Sequence, residues 1–166
     1  ASGWAPSAGA ANTAVSAGGG LRTTLTAAGD AWSNRAGGTS GALWGALLTA
    51  LGSALGDEKT PSSDDLAVAL QAALSAVQRL GGAEVGDKTL VDALSPFVAA
   101  FVTTDGDLAA KSAAAVVAAE AGTESTRALV ARLGRARPLG EKSVGTPDPG
   151  AVSLTKVVTL LNSRLS

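Results

Sequence analysis

The amino-acid sequence predicts an all-α fold, an up-and-down helical bundle, from three observations. Alanine, leucine and valine make up most of the apolar part of its 166 residues while aromatics reach only 3%, a balance that favours helix over strand. The β-branched residues are scattered rather than alternating, so the two-residue period of a half-buried strand is missing. Apolar residues instead recur at helical spacing, as Leu43, Leu47, Leu51 and Leu55 do. The length suits one domain with its own core.

Taken in order, residues 1–20 are rich in Ala, Gly and Ser and end in a tri-glycine, so they read as a loose or partly helical lead to a domain at 21–166. The chain opens without methionine or a charged-then-apolar leader, and so reads as the remnant of a longer N-terminus. From Leu21 to Arg35, Leu21, Leu25, Ala28 and Trp32 share a helix face, which stops at Gly37 and Gly38. "SGALWGALLTALGSALG" continues as a second helix in which Gly41, Gly45 and Gly52 leave room for a close neighbour. Trp32 and Trp44 both fall on apolar faces and read as core. "DEKTPSSDD" is a solvated loop whose Ser62 or Ser63 can cap a helix running to Leu80, with Leu66, Leu70, Leu74 and Val77 on its face. Gly81 and Gly82 end it.

Thr89 can cap the next helix, from Leu90 to Thr104, which Pro96 should kink or restart. Residues 107–133 read as one long alanine-rich helix, or as two broken near Gly122 with Thr123 capping the second. "GRARPLGEKSVGTPDPG" is too rich in Gly and Pro for a helix and too charged for buried slack; loops this long are usually functional or disordered. A last helix from Ala151 to Leu165 carries Leu154, Val157, Val158 and Leu161 on one face.

Composition narrows the chemistry. With no cysteine and no histidine, zinc enzymes, cysteine hydrolases and Ser-His-Asp triads are excluded. Any catalysis must rest on carboxylates, lysine, arginine, hydroxyls, backbone amides and a hard metal ion. Thirteen basic and fourteen acidic residues are mixed along the chain, so no long-range field recruits nucleic acid. No apolar run approaches the roughly 20 residues that span a bilayer. The expectation is a soluble cytoplasmic protein without nucleic-acid or membrane partners. Asp105 and Asp107 form D-x-D in a turn without further carboxylates, and Asp64 and Asp65 read as favourable charge at a helix start.

Three glycine-bearing loops are the candidates for function, and odd connections of an up-and-down bundle fall at one end. In "AGGTSG", residues 36–41, the amides of Gly38 and Gly41 with the Thr39 and Ser40 hydroxyls can cradle a phosphate at a helix N-terminus, or simply turn the chain. The spacing is not that of a Walker A loop. In "GGAEVGDKT", residues 81–89, Asp87 and Thr89 can orient a ligand with Lys88 offering a point charge, or form a capped turn with a solvated lysine. In the third, residues 134–151, Arg135 and Arg137 can meet a phosphate and "PDPG" can wedge against a flat base, or make a surface turn.

Together, "GGTSGALWG", "GGAEVGDKTLVDAL" and "GRARPLGEKSVGTPDPGA" resemble, in that order, the nucleotide-binding domain of the dihydroxyacetone kinase family over roughly residues 21–166. The resemblance implies an eight-helix antiparallel barrel that binds ATP or ADP at one rim, while a sugar-binding kinase domain or subunit holds the ketose. It implies Thr39 and Ser40 as the phosphate-contacting pair and Gly81 and Leu90 as walls of the adenine site, Leu90 standing where methionine is usual. Arg135 matches the nucleotide-contacting arginine, and Asp148, Pro149 and Gly150 match the closing turn. Thr146 and Lys142 stand where histidine and arginine are more usual.

The family's first helix and the carboxylate loop after it, which holds magnesium, have no counterpart here; "AGD" at 28–30 lies in a later helix. Phosphoryl transfer depends on that metal to neutralise and align the oxygens. The expectation is therefore that this first helix is missing from the polypeptide, that Mg2+ belongs to the intact protein, and that the chain alone is inactive. The resemblance implies the donor domain of a dihydroxyacetone or erythrulose kinase, with a homodimer formed through the parent protein. Its alternatives are a non-catalytic ADP-holding subunit of a phosphotransferase-linked system and the related domain of fatty-acid kinases.

Overall fold

The structure, a computed structural model, describes residues 4–36 and 38–165, with the backbone alone at Trp4 and Arg135. Its elements are α1 (Trp4–Ser16), α2 (Leu21–Ala36), α3 (Gly38–Leu55), α4 (Ser63–Gly81), α5 (Val91–Thr103), α6 (Leu108–Ser125) and α7 (Pro149–Asn162), with 3-10 turns at Thr126–Ala128 and Gly134–Ser143. No strand occurs among the described residues, so the fold class is all-α as expected. The chain divides into two compact units, Ala1–Gly82 and Ala83–Ser166.

In the first unit α2 and α3 pack antiparallel through a glycine seam. A Cβ on Gly52 would stand 3.0 Å from the Arg22 carbonyl, one on Gly29 3.0 Å from the Gly45 carbonyl, and one on Gly45 2.8 Å from Ser33 Oγ. Backbones come this close only where no side chain intervenes. Trp32 and Trp44 extend the seam by stacking with centroids 4.6 Å apart, Trp44 buried and Trp32 half-buried. α4 has the caps the sequence foretells. Ser62 Oγ accepts the Asp65 amide, the Asp65 side chain accepts the Ser62 amide, and Gly82 closes the helix in the left-handed conformation. Its buried line is Ala69, Ala73 and Val77, with Leu66, Leu70 and Leu74 half-buried beside it. The lead at 1–20, expected to be loose or partly helical, is helical from Trp4 to Ser16. Ser7 Oγ donates to the Ala28 carbonyl at 2.8 Å, anchoring α1 to α2.

In the second unit the core is built on α5, whose Val91, Ala93, Leu94, Phe97, Val98 and Phe101 are buried. Pro96 sits inside α5 without ending it. Lacking an N–H, it cannot serve the Asp92 carbonyl one turn back. α6 lays Gly122 against that same carbonyl and the Pro96 ring, leaving no room for a Cβ. Gly122 is therefore a close-packing point, and of the two alternatives the one with a break there does not hold. α6 continues through it to Ser125, and Thr123, inside the helix, shares a hydrogen bond of 2.7 Å with Thr155 on α7. Residues 129–133, expected to be helical, are not. The segment expected to be too irregular for a helix forms 3-10 turns over Gly134–Ser143, interrupted at Gly140 where φ is 50° and ψ −128°.

Candidate functional site

Each unit carries part of the predicted site. In the first, Gly38 opens α3 with φ of 62°, and Thr39 and Ser40 lie exposed in the first turn. The opening amides of a helix have no partner within it, so this turn presents donors and the positive end of the dipole to solvent. Gly41 is buried, with space for a Cβ limited to 3.3 Å by Ala36 and the Ser33 carbonyl. Gly81 is the last residue of α4.

The second unit brings together six other predicted residues: Asp87, Thr89, Leu90, Asp148, Pro149 and Gly150. Asp87 accepts the Glu84 amide at 2.9 Å, its carbonyl accepts the Arg132 amide, and Arg132 lies 3.8 Å from its carboxylate. Thr89 Oγ1 accepts the Val91 amide at 3.1 Å, yet Leu90 stands at the helix boundary without a side-chain cap. Leu90 is buried, and Gly150 lies against it so closely that a Cβ there would meet Leu90 at 3.4 Å. Asp148 is the N-cap of α7, accepting the Ala151 amide at 2.8 Å, and Pro149 occupies the first turn. The "PDPG" stretch is thus a helix start. The Asp148 amide donates to Thr126 Oγ1 at 2.8 Å, joining this start to the end of α6. Burial pushes the Asp148 carboxyl above the usual carboxylate range; the Ala151 and Gly150 amides oppose that shift, Asp92 adds to it and Lys88 opposes it. The side chain of Arg135 lies outside the described residues; Arg137 is exposed.

Two residues organise this cluster that the sequence reading placed wrongly or passed over. Lys88, read as a ligand for phosphate or a solvated charge, is 4% exposed. Its Nζ donates to the carbonyls of Leu129 at 3.1 Å, Ser143 at 2.5 Å and Thr146 at 2.7 Å. An ammonium has three protons, and all are used inside the protein. Asp92, also buried, accepts the Gly86 amide at 2.6 Å and the Thr89 amide at 2.7 Å. Its signal was in the sequence, since "TLVD" has the spacing of a capping box. Lys88 gave no such signal, because its partners lie 41 to 58 residues away. Among the described residues no group of three or more acidic side chains could hold a metal ion. No described helix is long and apolar enough to cross a membrane.

Comparison with known proteins matches the sequence pattern of the DAK2 domain over residues 2–163. An L-erythrulose 1-kinase of Mycolicibacterium smegmatis is 52% identical over 163 residues, covering 95% of this chain and 28% of that kinase. The ADP-binding subunit of a PEP-dependent dihydroxyacetone kinase of Listeria innocua is 33% identical over 147 residues, covering 87% of this chain and 68% of the subunit. The crystal structure of the dihydroxyacetone kinase from C. freundii in complex with AMP-PNP and Mg2+ superposes with a TM-score of 0.62 at 30% identity, covering 87% of this chain and 23% of that one. The chain thus spans about a quarter of the length of the kinases it matches.

Proposed function

The chain belongs to the DAK2 domain family, and on that premise we propose that it is the ATP-binding, phosphoryl-donating domain of a short-chain ketose kinase acting on erythrulose or dihydroxyacetone. The observation that carries this reading is the 52% identity to an L-erythrulose 1-kinase along 95% of the chain. The AMP-PNP and Mg2+ complex of a structural relative supports a nucleotide ligand with magnesium. The exposed first turn of α3, with Thr39 and Ser40, suits nucleotide phosphates. In the second unit Leu90, itself buried, backs Gly150 at the start of α7, and Asp87, Thr89, Asp148 and Pro149 are the other contacts proposed for the nucleotide. Gly81 and Arg135 complete the proposed contacts.

The residues described here do not fit a magnesium site of their own. The metal's ligands would be phosphate oxygens, water and groups from another part of the protein. What this chain contributes is binding and orientation: it would hold the donor phosphates against a ketose carried by a partner domain. A second reading is favoured by the likeness that covers 68% of an ADP-binding subunit. In it the chain keeps ADP bound and receives phosphate from a phosphocarrier protein.

Calorimetric titration with ADP, with and without magnesium, tests the shared core of both readings. Binding is expected, and a chain that takes up no ADP overturns them. The intact parent protein, assayed with L-erythrulose and dihydroxyacetone, separates the two. Turnover with ATP supports the kinase, whereas turnover only with a phosphocarrier supports the subunit.

A further inference from the structure

The buried ammonium of Lys88 binds no ligand directly, yet three stretches of the second unit assigned to the nucleotide converge on it. Lys88 lies between Asp87 and Thr89. Its bonds to Leu129 and Ser143 hold both ends of the excursion that contains Arg135, and its bond to Thr146 holds the turn two residues before Asp148. Ser143 ties the excursion to itself, since its hydroxyl accepts the Ala131 amide at 2.9 Å and donates to the Gly140 carbonyl at 2.6 Å.

The backbone at Lys88 adds an independent observation. Its φ is 62°, and it is the one non-glycine residue of positive φ among those described. Glycine adopts this conformation without steric cost, whereas an L side chain resists it. A lysine is therefore worth its strain here only through what its side chain does, and strain of this kind gathers at functional sites.

We infer that Lys88 is a positioning residue of the nucleotide site, its ammonium fixing residues 129–146 so that this excursion and the turn at 148–150 meet the ligand in one arrangement. The inference rests on the nucleotide-binding reading given above. Without the ammonium, the Leu129 and Thr146 carbonyls lose the donor Lys88 gives them, and the Ser143 carbonyl keeps only the 3.4 Å bond from the Thr146 hydroxyl; a buried carbonyl without a donor regains one only by reaching water. The excursion would then loosen while the core on α5 stays in place.

The absence of cysteine from the sequence permits a selective test. Lys88→Cys can be alkylated in the unfolded state, once to aminoethylcysteine, which restores the ammonium, and once to S-ethylcysteine, which differs from it only in lacking the terminal nitrogen. Both are refolded, checked for helicity, and titrated with ADP beside the unaltered chain. The S-ethyl protein is expected to bind ADP about tenfold or more weakly, as the loss of one charged hydrogen bond or more implies, and the aminoethyl protein to recover most of that loss. Amide exchange should quicken at residues 129–146 and stay slow in α5.

Equal affinity in the two alkylated proteins, with the unaltered chain binding normally, overturns the inference and leaves the nucleotide reading intact. An unaltered chain that binds no ADP overturns both. Should the alkylated proteins not refold, Ser143→Ala decides, since it unties the same excursion and leaves the ammonium in place. A several-fold loss of ADP affinity supports the inference, and unchanged affinity overturns it.

Discussion

The two units hold their chain in different ways. In the first, α2 and α3 meet through glycines, and what joins them is proximity of backbone to backbone with an indole stack beside it. In the second, a charged side chain in the interior gathers carbonyls from three places in the sequence, and a carboxylate, Asp92, gathers amides. A seam of small residues tolerates no added atom; a polar hub tolerates no lost partner. The seam sets how near two helices come, whereas the hub sets the shape of loops that have no regular structure of their own.

That contrast predicts which substitutions hurt, beginning with the largest. Gly45→Leu places a branched side chain where even a Cβ would stand 2.8 Å from Ser33 Oγ, and should cost about 3 kcal/mol by overpacking. Urea unfolding followed by Trp32 and Trp44 fluorescence measures it, and an unchanged midpoint would mean that α2 and α3 separate at little cost. Gly122→Ala tests the seam-like contact between α5 and α6 in the second unit. Its methyl would meet the Asp92 carbonyl and the Pro96 ring, and a loss of about 2 kcal/mol is expected.

Asp92→Asn attacks the hub with hardly any change of volume. An amide offers one acceptor oxygen where the carboxylate offers two, so either the Gly86 or the Thr89 amide would face an N–H. A loss of about 2 kcal/mol is expected, and the same substitution having no effect on thermal stability would show that the loop at 86–89 is held by Lys88 alone.

The smallest effect, and the sharpest contrast, concerns pH. In the first unit the Ser62 amide, then Lys59 and the Ser62 hydroxyl, hold Asp65 down to about 2. The Thr23 amide and hydroxyl lower Asp57. A depressed carboxylate stabilises the fold above its unfolded value, near 4, and ceases to as pH falls through its folded value. In the second unit Asp148 is raised by burial, so the sign reverses. Its protonated form is the one the fold prefers, and its contribution declines as pH rises from about 4 through the raised value. Acidification should therefore slow the opening of the second unit before it loosens the first. Amide exchange at Ala151, compared with Thr23 and Asp65 across this range, checks the order, and Asp148→Asn should flatten the response at Ala151 alone.

Several features could be read in the sequence because their causes are local. Ser62 and Asp65 are three residues apart, and Gly82 follows the last turn of its helix, so α4 was bounded correctly at both ends. The glycines at 41, 45 and 52 announced a close neighbour, and one arrived. The order of the three loop motifs was enough to point to the family that the comparisons identify. Elsewhere local rules misled. The sequence from 126 to 133, rich in Ala, Leu and Arg, has helical propensity, but the chain there turns to supply the Leu129 carbonyl to Lys88 and the Ala131 amide to Ser143. α1 carries Ala, Gly and Ser in a pattern with little to say for a helix until α2 is there to pack against.

By itself, then, the sequence determined the fold class, most helix termini and the family, because helical periodicity, caps and glycine stops act over three or four residues and need no partner from afar. Only the tertiary structure decided that Lys88 turns inward and that Gly122 is a contact point. These outcomes depend on groups tens of residues away along the chain, and a buried charge or an absent Cβ acquires its meaning from what the fold brings against it.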